Sequence, residues 1–233
     1  MLIGKDFDKV EFQLFGFDLV EPNALFGDTI ILLVSLFIAF KIKQFNKKTP
    51  FYNYWIAFFV VFGFGFFMGG LGHSFFNYWG VPGKYASWYI GIIAVTMIEL
   101  AMLSIYPNEK QRTILSKIAI IKAFVFLLIQ TYVLVNVDLS IDPQKGLLVP
   151  TLSSVIGLGI VLGFLSYRYQ KIYNPSFRYL WISALVLIPT ALVQALKINI
   201  LPLFDRNDIS HILLITTLIL YYIALKKVKT TIA

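Results

Sequence analysis

The sequence has no cysteine, which excludes a disulfide framework, a zinc ribbon and a thiol nucleophile. It is also poor in charge. Asp, Glu, Lys and Arg make up 14% of its 233 residues, against about 25% in soluble domains. Histidine is scarcer still, at two residues. Apolar surface takes the place of charge: hydrophobic residues reach 58%, aromatics 17%, and the mean hydropathy is +0.78. A soluble chain of this length has too little interior to hide so much apolar area. The composition therefore excludes an ordinary soluble enzyme, a disordered chain and a partner of nucleic acid. The net charge of +8 suits a membrane protein, in which basic residues collect in cytoplasmic loops.

A bilayer core about 30 Å thick needs roughly 20 apolar residues per helix. Seven stretches meet or approach that length: 26–40, 55–79, 85–106, 114–137, 147–166, 179–203 and 209–225. The first and last are short and must recruit neighbouring residues. The connections leave no room for a second domain, and no internal repeat or low-complexity segment interrupts the pattern. The expectation is an all-α, polytopic bundle of seven transmembrane helices. It forms one domain over 1–233, with 1–25 as an extracytoplasmic segment. That segment mixes Lys5, Asp6, Asp8, Lys9, Glu11, Asp18 and Glu21, so it does not read as a signal peptide. Within it, 10–20 (VEFQLFGFDLV) is amphipathic and aromatic and suits the membrane interface.

Orientation follows from the basic residues. Thirteen fall after spans one, three and five and in the tail: Lys41, Lys43, Lys47, Lys48, Lys110, Arg112, Lys117, Arg168, Lys171, Arg178, Lys226, Lys227 and Lys229. Five fall at the other end: Lys5, Lys9, Lys84, Lys145 and Arg206. Lys122 and Lys197 are read as lying within spans. The bias predicts an outside N-terminus and an inside C-terminus.

Ionisable groups inside a bilayer cost about 2.5–3.5 kcal/mol each at mid-helix, so they are the first functional candidates. By depth they form two sets. Near the outer end lie Asp28, read as opening the first span, His73 late in the second, Lys197 near the end of the sixth, and Asn207, Asp208 and His211 at the head of the seventh. Glu21 and Asn23 sit just above. Both histidines of the chain thus share one depth, among carboxylates. Deeper, Glu99 and Lys122 match in depth on consecutive spans and predict an ion pair, either a structural clamp or part of a proton relay.

Two G-x-x-x-G patterns, Gly65/Gly69 and Gly159/Gly163, predict close helix packing. The glycines ahead of His73 also read as space for a ligand beside its ring. Pro189 predicts a kink in the sixth span.

Two imidazoles and one or two carboxylates from separate helices can hold Zn²⁺ with one position open, and its bound water then attacks a carbonyl near neutral pH. On that reading His73, His211 and Asp28 are ligands, Asp28 or Asp208 has a catalytic role, and Asn207 supports a ligand. On the other reading the histidines are hydrogen-bonded and the aspartates cap helices.

The chain resembles the seven-helix membrane hydrolase superfamily that includes alkaline ceramidases and the progestin/adipoQ receptors. Those proteins place zinc between a His late in helix two, an Asp early in helix three and a His-x-x-x-His at the start of helix seven. His73 and His211 match two of these positions. Asn207 stands at the first His of the pair, Gly69 where a Ser is expected, and the third span has no early Asp, so Asp28 or Asp208 would replace a ligand. Asp18, Glu21 and Asn23 are similar in spacing to the calcium-binding segment of alkaline ceramidases. The resemblance implies a zinc-dependent hydrolase of a lipid amide or ester, with calcium at the N-terminal segment. The patterns EPNALFGD (21–28), GGLGH (69–73) and NDISH (207–211) also resemble bacterial seven-helix proteins of unknown function, which carry no activity with them. The alternative is a non-catalytic sensor or small-solute carrier that binds a ligand in the same outer pocket. A retinal protein is excluded, because the seventh span has no Lys before Lys226.

Overall fold

Prolines start the first two long helices. Pro22 occupies the first turn of α1 (Pro22–Lys43) and Pro50 that of α2 (Pro50–Ser74). There the missing N–H costs nothing and the fixed φ favours the helix. In the computed structural model, which describes residues 1–228, these are followed by a short α3 (Phe76–Trp79) and then α4 (Tyr85–Ser104) and α5 (Glu109–Asn136). The Asn108 side chain caps α5 by accepting from the Gln111 amide at 2.9 Å. Next come α6 (Gln144–Leu158), a π-helical stretch Gly159–Leu165, α7 (Ser166–Ile172), α8 (Arg178–Ala195) and α9 (Arg206–Val228). Within the wider turn Ser166 Oγ donates to the Val161 carbonyl five residues back, at 3.1 Å.

Seven helical segments are long and apolar enough to cross a membrane. The chain is an integral membrane protein whose outward faces carry apolar side chains such as Phe37, Phe64, Ile118, Phe124, Ile160 and Leu185. The first and last spans do recruit neighbours, reaching 22 and 23 residues. The second runs 50–74 rather than 55–79, because the helix breaks at Phe75 before α3. The sixth stops at Ala195, short of 203, and Lys197 follows with a left-handed backbone (φ 48°). Lys197 therefore lies in a loop and not in a span. Lys229 falls outside the described residues.

The helices close into a ring. α1 packs on α2, α2 on α4, and α4 on α5 and α6; the π-helical stretch meets α8, α8 meets α9, and α9 returns to α1. The two ends of the ring differ in chemistry. At the end holding the α1–α2 loop, Phe51, Tyr52, Trp55, Phe58, Phe59, Tyr169, Phe177 and Tyr221 form a buried aromatic core. Trp55 and Tyr221 have ring centroids 5.2 Å apart. The end holding the N-terminus is polar.

The N-terminal segment ahead of the all-α bundle holds a short hairpin. Glu11–Leu14 (β1) and Phe17–Val20 (β2) form an antiparallel hairpin, with Phe15 (φ 52°) and Gly16 (φ 82°) both left-handed in the two-residue turn. Ahead of it Leu2 pairs with Asn199, tying the chain's start to the α8–α9 loop.

Candidate functional site at the polar end of the bundle

α1 begins six residues before Asp28, so Asp28 does not open the helix. It sits in the second turn, buried, facing α2 and α9. His211 comes from the first turn and a half of α9 and is buried too. Its Nε2 lies 2.9 Å from Asp28 Oδ1. The contact is an ion pair by distance, and Asp28 Oδ1 and His211 Nδ1 are buried without a hydrogen-bond partner among the described residues.

Glycines make the space. A Cβ on Gly27 would overlap the His211 imidazole, and one on Gly70 would stand 2.9 Å from Asp28 Cβ and 3.0 Å from its Oδ2. A Cβ on Gly69 would lie 3.6 Å from Asp28 Oδ2 and 3.7 Å from Ser87 Oγ of α4. The pair is thus held where α1, α2 and α9 meet, with α4 alongside.

His73 has a different partner. Its Nδ1 lies 2.6 Å from Glu21 Oε2. Since an ionised carboxylate only accepts, His73 Nδ1 carries the proton and donates. Glu21 also lies 3.6 Å from Lys9 Nζ. Burial pushes the Glu21 carboxyl up, but the hydrogen bond and charge of His73, with Lys9 and Lys84 behind them, outweigh it and hold it down at about 2. The backbone of Glu21 is left-handed (φ 55°), and its amide donates to the Val10 carbonyl at 2.9 Å, so the hairpin and α1 both constrain this residue.

Asp208 closes a helix cap. Its Oδ2 accepts from the Asp205 amide at 2.9 Å, while Asp205 Oδ1 accepts from the amides of Asn207 (2.7 Å) and Asp208 (3.4 Å). This is the reciprocal capping box at the start of α9. Asn23 Nδ2 donates to Asp208 Oδ2 at 2.8 Å, which links α1 to that cap. Asn207 accepts from Gln194 Nε2 at 3.2 Å. Burial raises the Asp205 carboxyl, and the neighbouring charges of Asp208 and Glu21 add to the rise. Lys197 Nζ lies 4.0 Å from Asp6 Oδ2, and Arg206 reaches both oxygens of Asp6 at 3.2 Å.

The structure therefore brings Asp28 to His211 but sends His73 to Glu21 and Asp208 to Asn23. Among the described residues no group of three or more His, Asp or Glu is arranged to hold a metal ion. The side chains as they stand do not fit a zinc ion shared by His73, His211 and Asp28. The expected calcium set is also divided. Asp18 accepts from Gln13 Nε2 at 2.9 Å, Glu21 engages His73 and Lys9, and Asn23 engages Asp208.

The deeper pair is present. Lys122 Nζ donates to Glu99 Oε1 at 2.7 Å and lies 3.4 Å from the Ser153 carbonyl. Gly157 of α6 roofs the pair: a Cβ there would be 2.7 Å from Glu99 Oε1. Of the two G-x-x-x-G patterns only the first packs as expected, since a Cβ on Gly65 would meet Ile90 at 2.7 Å, whereas one on Gly159 or Gly163 meets nothing within 4 Å.

Sequence reasoning missed Gly27 beside the His211 ring and placed Glu21 in a calcium set rather than against His73. The i, i+3 spacing of Asp205 and Asp208 is a readable capping signal. The 69–73 glycine run pointed to the right helix face.

The fold and site define a seven-helix integral membrane protein with two His–carboxylate pairs at one end. The chain belongs to the DUF6962 family, a family of unknown function, which matches it over residues 24–230. No curated protein and no solved structure shows a significant match to it.

Proposed function

We propose that this protein is a non-catalytic membrane binding protein, a sensor or carrier of a small polar solute, working through the polar end of the bundle. The observation that supports this most is the Asp28–His211 pair. It is buried, charged when the imidazole is protonated, incompletely hydrogen-bonded, and it ties the first span to the last. A buried couple of this kind is costly unless something completes its hydrogen bonds. A proton or a small solute with both donor and acceptor groups would do so. Its binding would also alter the attraction between α1 and α9, which is the link that closes the ring.

The resemblance to membrane hydrolases supports a second reading, a zinc-dependent hydrolase of a lipid amide or ester. It requires His73 to leave Glu21 and turn toward His211 and Asp28. The same purified protein separates the two. For the binding protein, zinc added and then removed by gel filtration leaves less than about one-tenth of the chains loaded, and a polar solute that raises the melting temperature of the wild type in nanodiscs does so far less in His211→Gln. Near-stoichiometric zinc lost in His73→Ala, with release of fatty acid from the bilayer, would replace the binding reading by the hydrolase.

The basic bias supports an N-terminus outside the cytoplasm, and the resemblance to bacterial seven-helix proteins supports a bacterial plasma membrane. The chain lacks cysteine, so Lys145→Cys and Lys48→Cys report topology without background. An impermeant maleimide on whole cells should label the first and spare the second.

A further inference from the structure

The hairpin ahead of α1 has an uncharged tip, and that tip is bare. Leu14, Phe15 and Phe17 are 41%, 91% and 46% exposed, although Phe15 is among the most apolar side chains in the chain. Its charged residues lie elsewhere. Lys9 stacks over Phe76 at 3.7 Å and pairs with Glu21, and Asp18 takes Gln13. The hairpin is also fixed in place. Phe17 packs edge-on against Phe75 (5.6 Å) and Tyr78 (5.8 Å), the Tyr78 hydroxyl accepts from the Asp18 amide at 3.0 Å, and the Asn77 amide group donates to the Asp18 carbonyl at 3.3 Å.

These contacts set its height. Phe75 and α3 mark the end of the second span, and β2 ends two residues before α1 begins, so the tip lies at the level where the spans leave the hydrocarbon. Tyr78 and Trp79 are half-exposed at that level, and Trp79 stacks on Phe75 at 4.7 Å. Tyrosine and tryptophan at a span end form the interfacial aromatic belt of membrane proteins. Trp79 also borders a shallow apolar groove of about 380 Å³ lined with Met68, Pro82, Gly83 and Ala86, open along the side of the bundle. From the tip, ring contacts lead from Phe17 to Phe75 and Tyr78 and from Phe75 to Trp79, which lines the groove.

We propose that the tip Leu14–Phe17 is a membrane anchor that inserts among the lipid headgroups at the N-terminal end of the bundle, in one layer with Tyr78 and Trp79. The lipid is favoured over a second copy of the chain because the tip adjoins a span end and its aromatic belt. An anchor there steadies the strap that carries Lys9 and Glu21 across the polar site.

The test uses Phe15→Cys carrying an environment-sensitive fluorophore, with Asp8→Cys as the solvent control, in phosphatidylcholine nanodiscs at one protein per disc. Nitroxide on the lipid near the headgroup should quench the label at 15 by about twofold or more and leave that at 8 nearly unchanged. Far-ultraviolet circular dichroism checks that the labelled chains keep their helix content. Water-like emission at 15 that ignores the nitroxide would overturn the anchor. So would a shielded signal that appears only when two chains share a disc, which would mark the tip as a contact between copies.

Discussion

His211 Nε2 stands 2.9 Å from Asp28 Oδ1 across the junction of the last and first spans. The pair is buried; His211 also meets the Phe66 ring edge-on at 6.4 Å, but neither residue has another ion-pair or hydrogen-bonding side-chain partner among the described residues. Removing one member leaves the other polar and alone. Asp28→Leu and His211→Leu are each expected to destabilise the folded bundle by about 3–5 kcal/mol. The double change is expected to cost less than the sum of the two. Denaturant unfolding in mixed micelles checks this, and strictly additive losses would mean the two groups do not interact.

The glycines under that pair make an independent prediction. Gly27→Ala drives a methyl into the His211 ring and Gly70→Ala one against Asp28. Each is expected to cost about 1–3 kcal/mol by overpacking and to displace the pair. Gly159→Ala meets open space and is expected to be neutral or slightly stabilising. Melting curves of the three variants should rank accordingly.

This contrast shows what the sequence could carry. Apolar runs of bilayer length make the seven spans legible, because each span must satisfy its own backbone and so is encoded locally. That Asp28, His73, Asp208 and His211 gather toward one end of the bundle was legible for the same reason, but not that Asp28 lies in the second turn of α1, with His211, while His73 meets Glu21 ahead of that helix. Which carboxylate meets which histidine depends on helix rotation and on side chains from other helices, and the pattern of one chain segment holds neither. Glu21 reached His73 through a left-handed turn that Pro22 gives no sign of. The hairpin escaped because VEFQL and FDLV are short and the amphipathic pattern alone does not separate a strand pair from an interfacial helix. Gly65/Gly69 and Gly159/Gly163 have the same spacing, yet only the first meets a neighbour.

Glu99 and Lys122 were predicted to pair by equal depth, and their 2.7 Å contact under Gly157 allows a sharper statement. Glu99→Gln or Lys122→Met alone is expected to cost about 3 kcal/mol or more, since a single charge is left buried in the membrane. Glu99→Leu with Lys122→Leu is expected to recover much of that loss if the pair is a clamp. A double variant that folds as well as the wild type but has lost a proton-dependent response of the intact protein would instead give the pair a relay role.

The Glu21 carboxyl links the stability of the polar end to pH. Its folded-state value of about 2 lies below the ordinary 4.5, so its ionised form is favoured in the folded state. For an acid shifted downward, the stabilisation is fully present above the unfolded value and is lost as pH falls through the folded one. The window is therefore about pH 4.5 down to 2, and the difference of roughly two and a half units corresponds to about 3 kcal/mol as an upper figure. Asp205 acts in the opposite sense: its raised carboxyl favours the folded state as it takes up a proton, so its share grows on acidification. Comparing wild type with Glu21→Gln removes most of the Asp205 share, because burial, the largest cause of its rise, is common to both. The stability gap between them, measured by thermal unfolding in acid-stable micelles, should close as pH falls from about 4.5 toward 2. A gap that stayed constant down to pH 2.5 would mean that Glu21 gains nothing from His73 and Lys9, and that the strap is held by Phe17 and Asp18 alone.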